Sequence, residues 1–121
     1  MTQEEKDLLL KDLCARLPYF TKVQIKNEIV VLDSICDDDG YHFNFIGDDR
    51  EGVNIEQVKP YLFPLSSMTE EQKSQYSFFL TRIIDGYDSS LLIDWLNKNH
   101  FDFRCLIPMG LANDATGKNI Y

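Results

Sequence analysis

The chain has 121 residues, 44% hydrophobic and 12% aromatic, with three cysteines and a net charge of −8. That length suits one domain with a real core, and the composition is too apolar for disorder. No apolar run approaches the roughly 18 residues of a membrane helix, and the acidic opening Met1-Thr2-Gln3-Glu4-Glu5-Lys6-Asp7 is unlike a secretory leader, so a soluble cytoplasmic protein with no membrane association is expected.

Thr2 followed three residues on by Glu5 is a capping-box pattern. Leu9, Leu10, Leu13, Cys14 and Leu17 recur at helical spacing, while Lys6, Lys11, Asp12 and Arg16 take the remaining faces. Pro18 stops this helix. Thr21 to Lys26 alternates, with Val23 and Ile25 on one side, and Asn27-Glu28 reads as a tight turn into Ile29-Val30-Val31-Leu32. Asp37-Asp38-Asp39-Gly40 is a turn, and Tyr41, Phe43 and Phe45 alternate with His42 and Asn44 as a half-buried strand. A second turn, Gly47-Asp48-Asp49-Arg50-Glu51-Gly52, leads to Val53 and Ile55, alternating with Asn54 and Glu56. Val58 to Phe63 is a last strand, and Pro60 within it points to a sheet edge, because proline donates nothing to the ladder.

Thr69-Glu70-Glu71-Gln72 is a second capping box, followed by the amphipathic stripe Tyr76, Phe79, Leu80, Ile83 and Ile84. Gly86 ends that helix, and Asp88 or Ser89 caps the next, whose apolar face is Leu91, Leu92, Trp95 and Leu96. Phe101 to Ile107 suits one more helical turn with Asp102 as cap, and from Pro108 onward the pattern reads as an ordered loop or a loose tail. The expected fold is one α+β domain. It has an N-terminal helix over 1–17, a bent antiparallel sheet or small SH3-like barrel of four or five strands over 20–63, a helical part over 69–107 packed on the sheet, and a loop or tail over 108–121.

Charge is unevenly placed. Residues 33–56 hold eight acids and one base, Arg50, and so carry −7 of the total of −8. Direct binding to a nucleic-acid backbone needs the opposite sign. Asp37, Asp38, Asp39, Asp48, Asp49 and Glu51 form the expected partner-binding set, which would steer a basic protein surface, including that of a nucleic-acid-binding protein. The plainer reading is that these acids keep two hairpin turns solvated.

Neither turn fits an EF-hand loop. With Gly40 at its sixth position the first and twelfth are Ile35 and Ile46, and with Gly52 there they are Gly47 and Val58. Gly117-Lys118 is no phosphate loop, since Asn119 follows and Ala112 stands where the first glycine belongs. Cys14, Cys36 and Cys105 are odd in number and widely spaced, which favours buried or half-buried free thiols over a disulfide framework or a zinc site. His42 points off the apolar face of its strand, and His100 sits at a helix end where a cation is tolerated. Either one beside Cys36 or Cys105 in a polar pocket would suggest nucleophilic chemistry. Paired carboxylates are uninformative in so acidic a chain. No cofactor or metal is expected. Phe78, Tyr61 and Phe63 lie off the main apolar stripes, where they join helices to sheet or face a partner.

Three stretches resemble small proteins of gut Bacteroidales, their prophages and their mobile elements. They are Val58-Lys59-Pro60-Tyr61-Leu62-Phe63-Pro64-Leu65-Ser66-Ser67-Met68-Thr69-Glu70-Glu71-Gln72, Asp94-Trp95-Leu96-Asn97-Lys98-Asn99-His100-Phe101-Asp102-Phe103, and Leu106-Ile107-Pro108-Met109-Gly110-Leu111-Ala112. Leu13-Cys14-Ala15-Arg16-Leu17-Pro18-Tyr19 fits the same group. The chain departs from it in the acid turns, at Phe63, where arginine is commoner, and at Cys105, where glycine is commoner. The resemblance implies a bacterial or phage setting and supplies no catalytic residue. The expected role is non-enzymatic protein binding as an accessory protein of a phage or mobile element. The alternatives are a structural component of a phage particle and a small enzyme on an unfamiliar scaffold.

Overall fold

The computed structural model describes residues 1–37 and 39–121. It is α+β, with an N-terminal helix, a mixed sheet and two C-terminal helices. Helix α1 (Gln3–Ala15) starts at the expected capping box: the Glu5 N–H donates to Thr2 Oγ1, and the Thr2 N–H donates to Glu5 Oε1. Strands β1 (Lys22–Ile25), β2 (Glu28–Asp37) and β3 (Tyr41–Phe45) form an antiparallel meander. The first turn falls at Lys26-Asn27, since Ile25 pairs with Glu28, and Lys26 takes the positive φ that a two-residue connection demands. Residues 53–56 do not make a strand. Asn54 caps a 3-10 turn, Ile55–Gln57, by accepting from the Glu56 N–H, and this local bond outcompetes extension.

Strand β4 (Lys59–Pro64) is followed by α2 (Glu70–Ile84), α3 (Ser90–Lys98), β5 (Phe101–Asp102) and β6 (Asn113–Asp114). The strand order is β3-β2-β1-β4-β5, with β6 also on β4. Among the described residues β3 pairs with β2 alone and β5 with β4 alone, so the sheet stays open and no barrel closes. Contrary to the expectation from Pro60, β4 is an interior strand. The Phe63 N–H donates to the His100 carbonyl, and the Leu62 carbonyl accepts from the Ala115 N–H. Neighbouring residues aim their backbone groups at opposite edges, so β5 and β6 flank β4 on either side. Pro60 removes one donor and leaves the other ladder groups of the strand in use. Both new strands run parallel to β4, and α2 with α3 forms the crossover that a parallel pairing needs.

Two apolar clusters meet at β4. Leu62 points into the first, with Leu9 and Leu13 of α1 and Val23, Ile25, Leu32, Phe43 and Phe45 of the meander. Phe63, one residue on and therefore on the other face, joins the second, with Met68, Leu92, Leu96, Phe101 and the half-buried Trp95. The 108–121 stretch is built into the sheet rather than trailing from it: Leu111, Ala112 and Ala115 are buried, and the Tyr121 hydroxyl donates to the Tyr61 carbonyl at 2.9 Å. The expected turn after Phe101 is present without a helix, because both oxygens of Asp102 accept backbone bonds, from the Leu106 and Ile107 N–H groups.

Asp12 and Arg16, placed by periodicity on the outer faces of α1, are both fully buried. Arg16 donates to Asp12 through Nε at 2.8 Å and Nη2 at 3.0 Å, and its Nη2 also reaches the Phe101 carbonyl at 2.6 Å. Arg104 Nη1 completes the cluster at 2.7 Å from Asp12 Oδ1. The three cysteines, by contrast, are exposed rather than buried. Asp12→Ala strands two guanidinium groups, one of them fully buried, and is expected to cost about 3–5 kcal/mol, read as a lowered urea midpoint. Lys6→Ala breaks the partly exposed Lys6–Glu56 pair and is expected to change stability by under about 1 kcal/mol in the same assay.

Candidate protein-binding surface

The acid turns are set by the β2–β3 hairpin. Asp37 and Asp39 sit at its tip and Asp48, Asp49 and Glu51 follow β3, so the two groups lie at opposite ends of a five-residue strand, about 17 Å long. Asp38 lies outside the described residues. Asp48 is not free for a partner: its Oδ1 accepts from the Arg50 N–H at 3.0 Å and from Arg50 Nε at 2.9 Å, which holds its carboxyl below the usual range. Arg50 also reaches Glu28 across the turn, and the two carboxylates raise its own pKa further. The one base of the acid segment is thus spent locally, leaving Asp37, Asp39, Asp49 and Glu51 exposed in two separate groups.

Of the expected Cys–His combinations, the structure brings one together, on an exposed face. Cys36 and His42 are direct cross-strand partners, and Asn44 Nδ2 lies 3.7 Å from Cys36 Sγ, yet all three sit on the exposed face of the hairpin. The adjoining cavity of about 310 Å³ is lined by His42 and Asn44 but not by Cys36. Among the described residues no group of three His, Cys, Asp or Glu side chains could hold a metal ion, and no helix is long and apolar enough to cross a membrane.

His100 sits just past α3, as expected, but not as a cation. It is buried, its ring stacks on Tyr121 with centroids 3.7 Å apart, and its Nδ1 has no hydrogen-bond partner among the described residues. Burial, with Arg16 and Lys22 nearby, pushes its pKa down to about 4. Next to this stack a cavity of about 380 Å³ opens between Phe63, Phe101 and Tyr121. Of its polar lining, Thr69 and Gln72 cap α2, Ser67 donates to the Pro64 carbonyl, and Asn99 Nδ2 donates to the Trp95 carbonyl.

The surface least accounted for by the fold is on α2. The helix is well made, with both halves of its capping box closed. Its end is a Schellman motif, the Gly86 N–H donating to the Ile83 carbonyl and the Tyr87 N–H to the Arg82 carbonyl. All 15 residues of α2 are described and none is buried. Gln72, Tyr76, Phe79 and Ile83 form a half-buried seam on the second core. Beside that seam Phe78 is 58% exposed, and on its other flank Ile84 is 85% exposed. Sequence periodicity identified the stripe but placed it against the sheet, whereas α2 packs on α3 and α3 packs on β5.

An apolar groove of about 320 Å³ runs between the helices, lined by Ser74, Gln75, Phe78, Phe79 and Trp95. Arg82 stands over the Phe78 ring at 5.5 Å and the Tyr87 ring at 4.4 Å, joining the exposed aromatics into one patch. Phe78, Phe79, Trp95, Phe101, Phe63 and Tyr121 then form a continuous run of ring contacts, each 5.6–6.4 Å between centroids, from this surface into the second core. No family model matches the chain, and no curated protein and no solved structure matches it.

The unfolded chain protonates His100 near pH 6.5 and the folded chain only near 4. The stability tied to this group is therefore complete above about pH 6.5 and falls as pH drops towards 4, by about 3 kcal/mol in all. Urea midpoints across that window measure the loss, and His100→Phe, which keeps a ring on Tyr121, is expected to remove this part of the pH dependence.

Proposed function

We propose that this chain is a non-enzymatic protein-binding module whose docking surface is the groove and flank of α2 with α3. The observation that carries the reading is the exposure of Phe78 and Ile84 on a 15-residue amphipathic helix with no buried position. A helix that packs one apolar seam and leaves large apolar side chains uncovered on both flanks of it suits a protein partner. Trp95, Tyr87 and Arg82 beside it are the residue types that dominate interface energetics. The resemblance to proteins of Bacteroidales prophages and mobile elements supports an accessory role in such an element.

A second reading keeps the acid turns as the contact face, favoured by the exposure of Asp37, Asp39, Asp49 and Glu51. One experiment separates the two. The wild type, the variant Phe78→Asp/Ile84→Asp, and the variant Asp37→Lys/Asp39→Lys/Asp49→Lys are used as baits in a bacterial host, with mass spectrometry of what each retains. The expected outcome is a partner held by the wild type and the lysine variant and lost by the aspartate variant. Both variants should melt within a few degrees of wild type, since every changed side chain is exposed. Retention by the aspartate variant and loss by the lysine variant would transfer the function to the acid turns.

A further inference from the structure

On α2, Glu71, Gln75, Phe78 and Arg82 follow one another at spacings of four, three and four, so they line one stripe next to the half-buried seam. The stripe is its own complement. Read against a second copy running the other way, Glu71 meets Arg82, Gln75 meets Phe78, and Ser74 meets Phe79. A parallel pairing would instead set Glu71 against Glu71 and Arg82 against Arg82. The groove lined by Ser74, Gln75, Phe78, Phe79 and Trp95 has room, at about 320 Å³, for a large apolar side chain, and the exposed Phe78 ring on its wall is such a side chain for a second copy. Glu71 is exposed at the acidic start of the helix, and Arg82 lies in its last turn. Antiparallel packing therefore also sets each helix dipole against the opposite end of the other.

We propose that the occupant of this groove is a second copy of the chain, bound about a two-fold axis that passes between Gln75 and Phe78 of the stripe, so that α2 and α3 of each copy make a four-helix bundle. This rests on the protein-binding reading above and names its partner. Phe78 of each copy fills the groove of the other, and two Glu71–Arg82 pairs close the rim. An isologous interface repeats every contact, so each substitution counts twice.

The test is sedimentation equilibrium of the full chain from micromolar to millimolar concentration, with circular dichroism confirming each variant's fold. The expected result is a mass of twice the 14.1 kDa chain, with Phe78→Asp returning it to one chain. Glu71→Arg is expected to weaken the dissociation constant by roughly tenfold or more. Adding Arg82→Glu to Glu71→Arg restores the pairing, because the charges then face each other with their signs exchanged. A single-chain mass throughout, or a dimer indifferent to Phe78→Asp and to the charge exchange, overturns the proposal. If the chain stays single while Phe78→Asp still releases a foreign partner, the self-pairing falls and the protein-binding reading stands. If neither self-association nor capture responds to Phe78 and Ile84, both fall.

Discussion

The rest of the molecule depends on one buried charge cluster. Asp12 gathers Arg16 from its own helix and Arg104 from the far end of the chain, while Arg16 also holds the Phe101 carbonyl. A carboxylate and a guanidinium withdrawn from water are costly unless they meet in good geometry and are further hydrogen-bonded. Here the geometry can be satisfied only when α1, β5 and the turn after it are all in place. Phe103 reinforces the arrangement, with Arg16 5.6 Å and Arg104 4.3 Å from its ring centroid. The cluster is therefore weak evidence of stability for its own sake and strong evidence of a specified docking of the two ends of the chain.

Its charge balance reaches further. Burial first, then the positive charges of Arg16 in the cluster and of Lys22, hold the His100 imidazole in its neutral form. Tyr121 stacks on that ring at 3.7 Å. Tyr121 in turn accepts from the Lys22 N–H and donates to the Tyr61 carbonyl, closing the chain's last residue onto β1 and β4. Helix, sheet and C-terminal segment are thus coupled through electrostatics at one corner, and the second core grows outward from it along the aromatic run to Phe78.

The local grammar of this fold was readable in its sequence, because it rests on near neighbours. Thr2 with Glu5, Thr69 with Gln72, and the glycine after α2 all behave as their types and spacings dictate. Asp88, one of the two candidate caps before α3, is the one that accepts, from the Ser90 N–H. What was not readable depends on distant residues. Asp12 and Arg16 at i and i+4 look like a solvated helix pair until Phe101 and Arg104 arrive from nearly ninety positions away. Pro60 marked an edge only so long as Ala115 and His100 were not known to be its strand's neighbours. Cys14 shared an apolar stripe with Leu13 and Leu17, which pack on the core while it stays exposed. The binding surface was half visible: the stripe on α2 was plain, but periodicity says which face is apolar and is silent on whether the fold covers it. The acid turns stood out in the charge count, yet that count could not register Arg50 closing on Asp48 and Glu28, or a strand separating the two turns.

The interior place of β4 has a consequence for how the protein comes to be made. The strand ends at Pro64, while its parallel neighbours begin only at Phe101 and Asn113. Chain growth from the N-terminus therefore delivers α1 and the meander first, with β4 docked on β1 along a single short stretch. Its remaining backbone groups wait, unpaired, while both helices of the crossover are synthesised. Contacts of such wide separation form late and slowly. During that interval a nascent chain presents an open strand edge of the kind that invites pairing with another molecule. The buried cluster on Asp12 cannot assemble until Arg104 has emerged, and the second edge of β4 closes later still, when Asn113 and Asp114 follow.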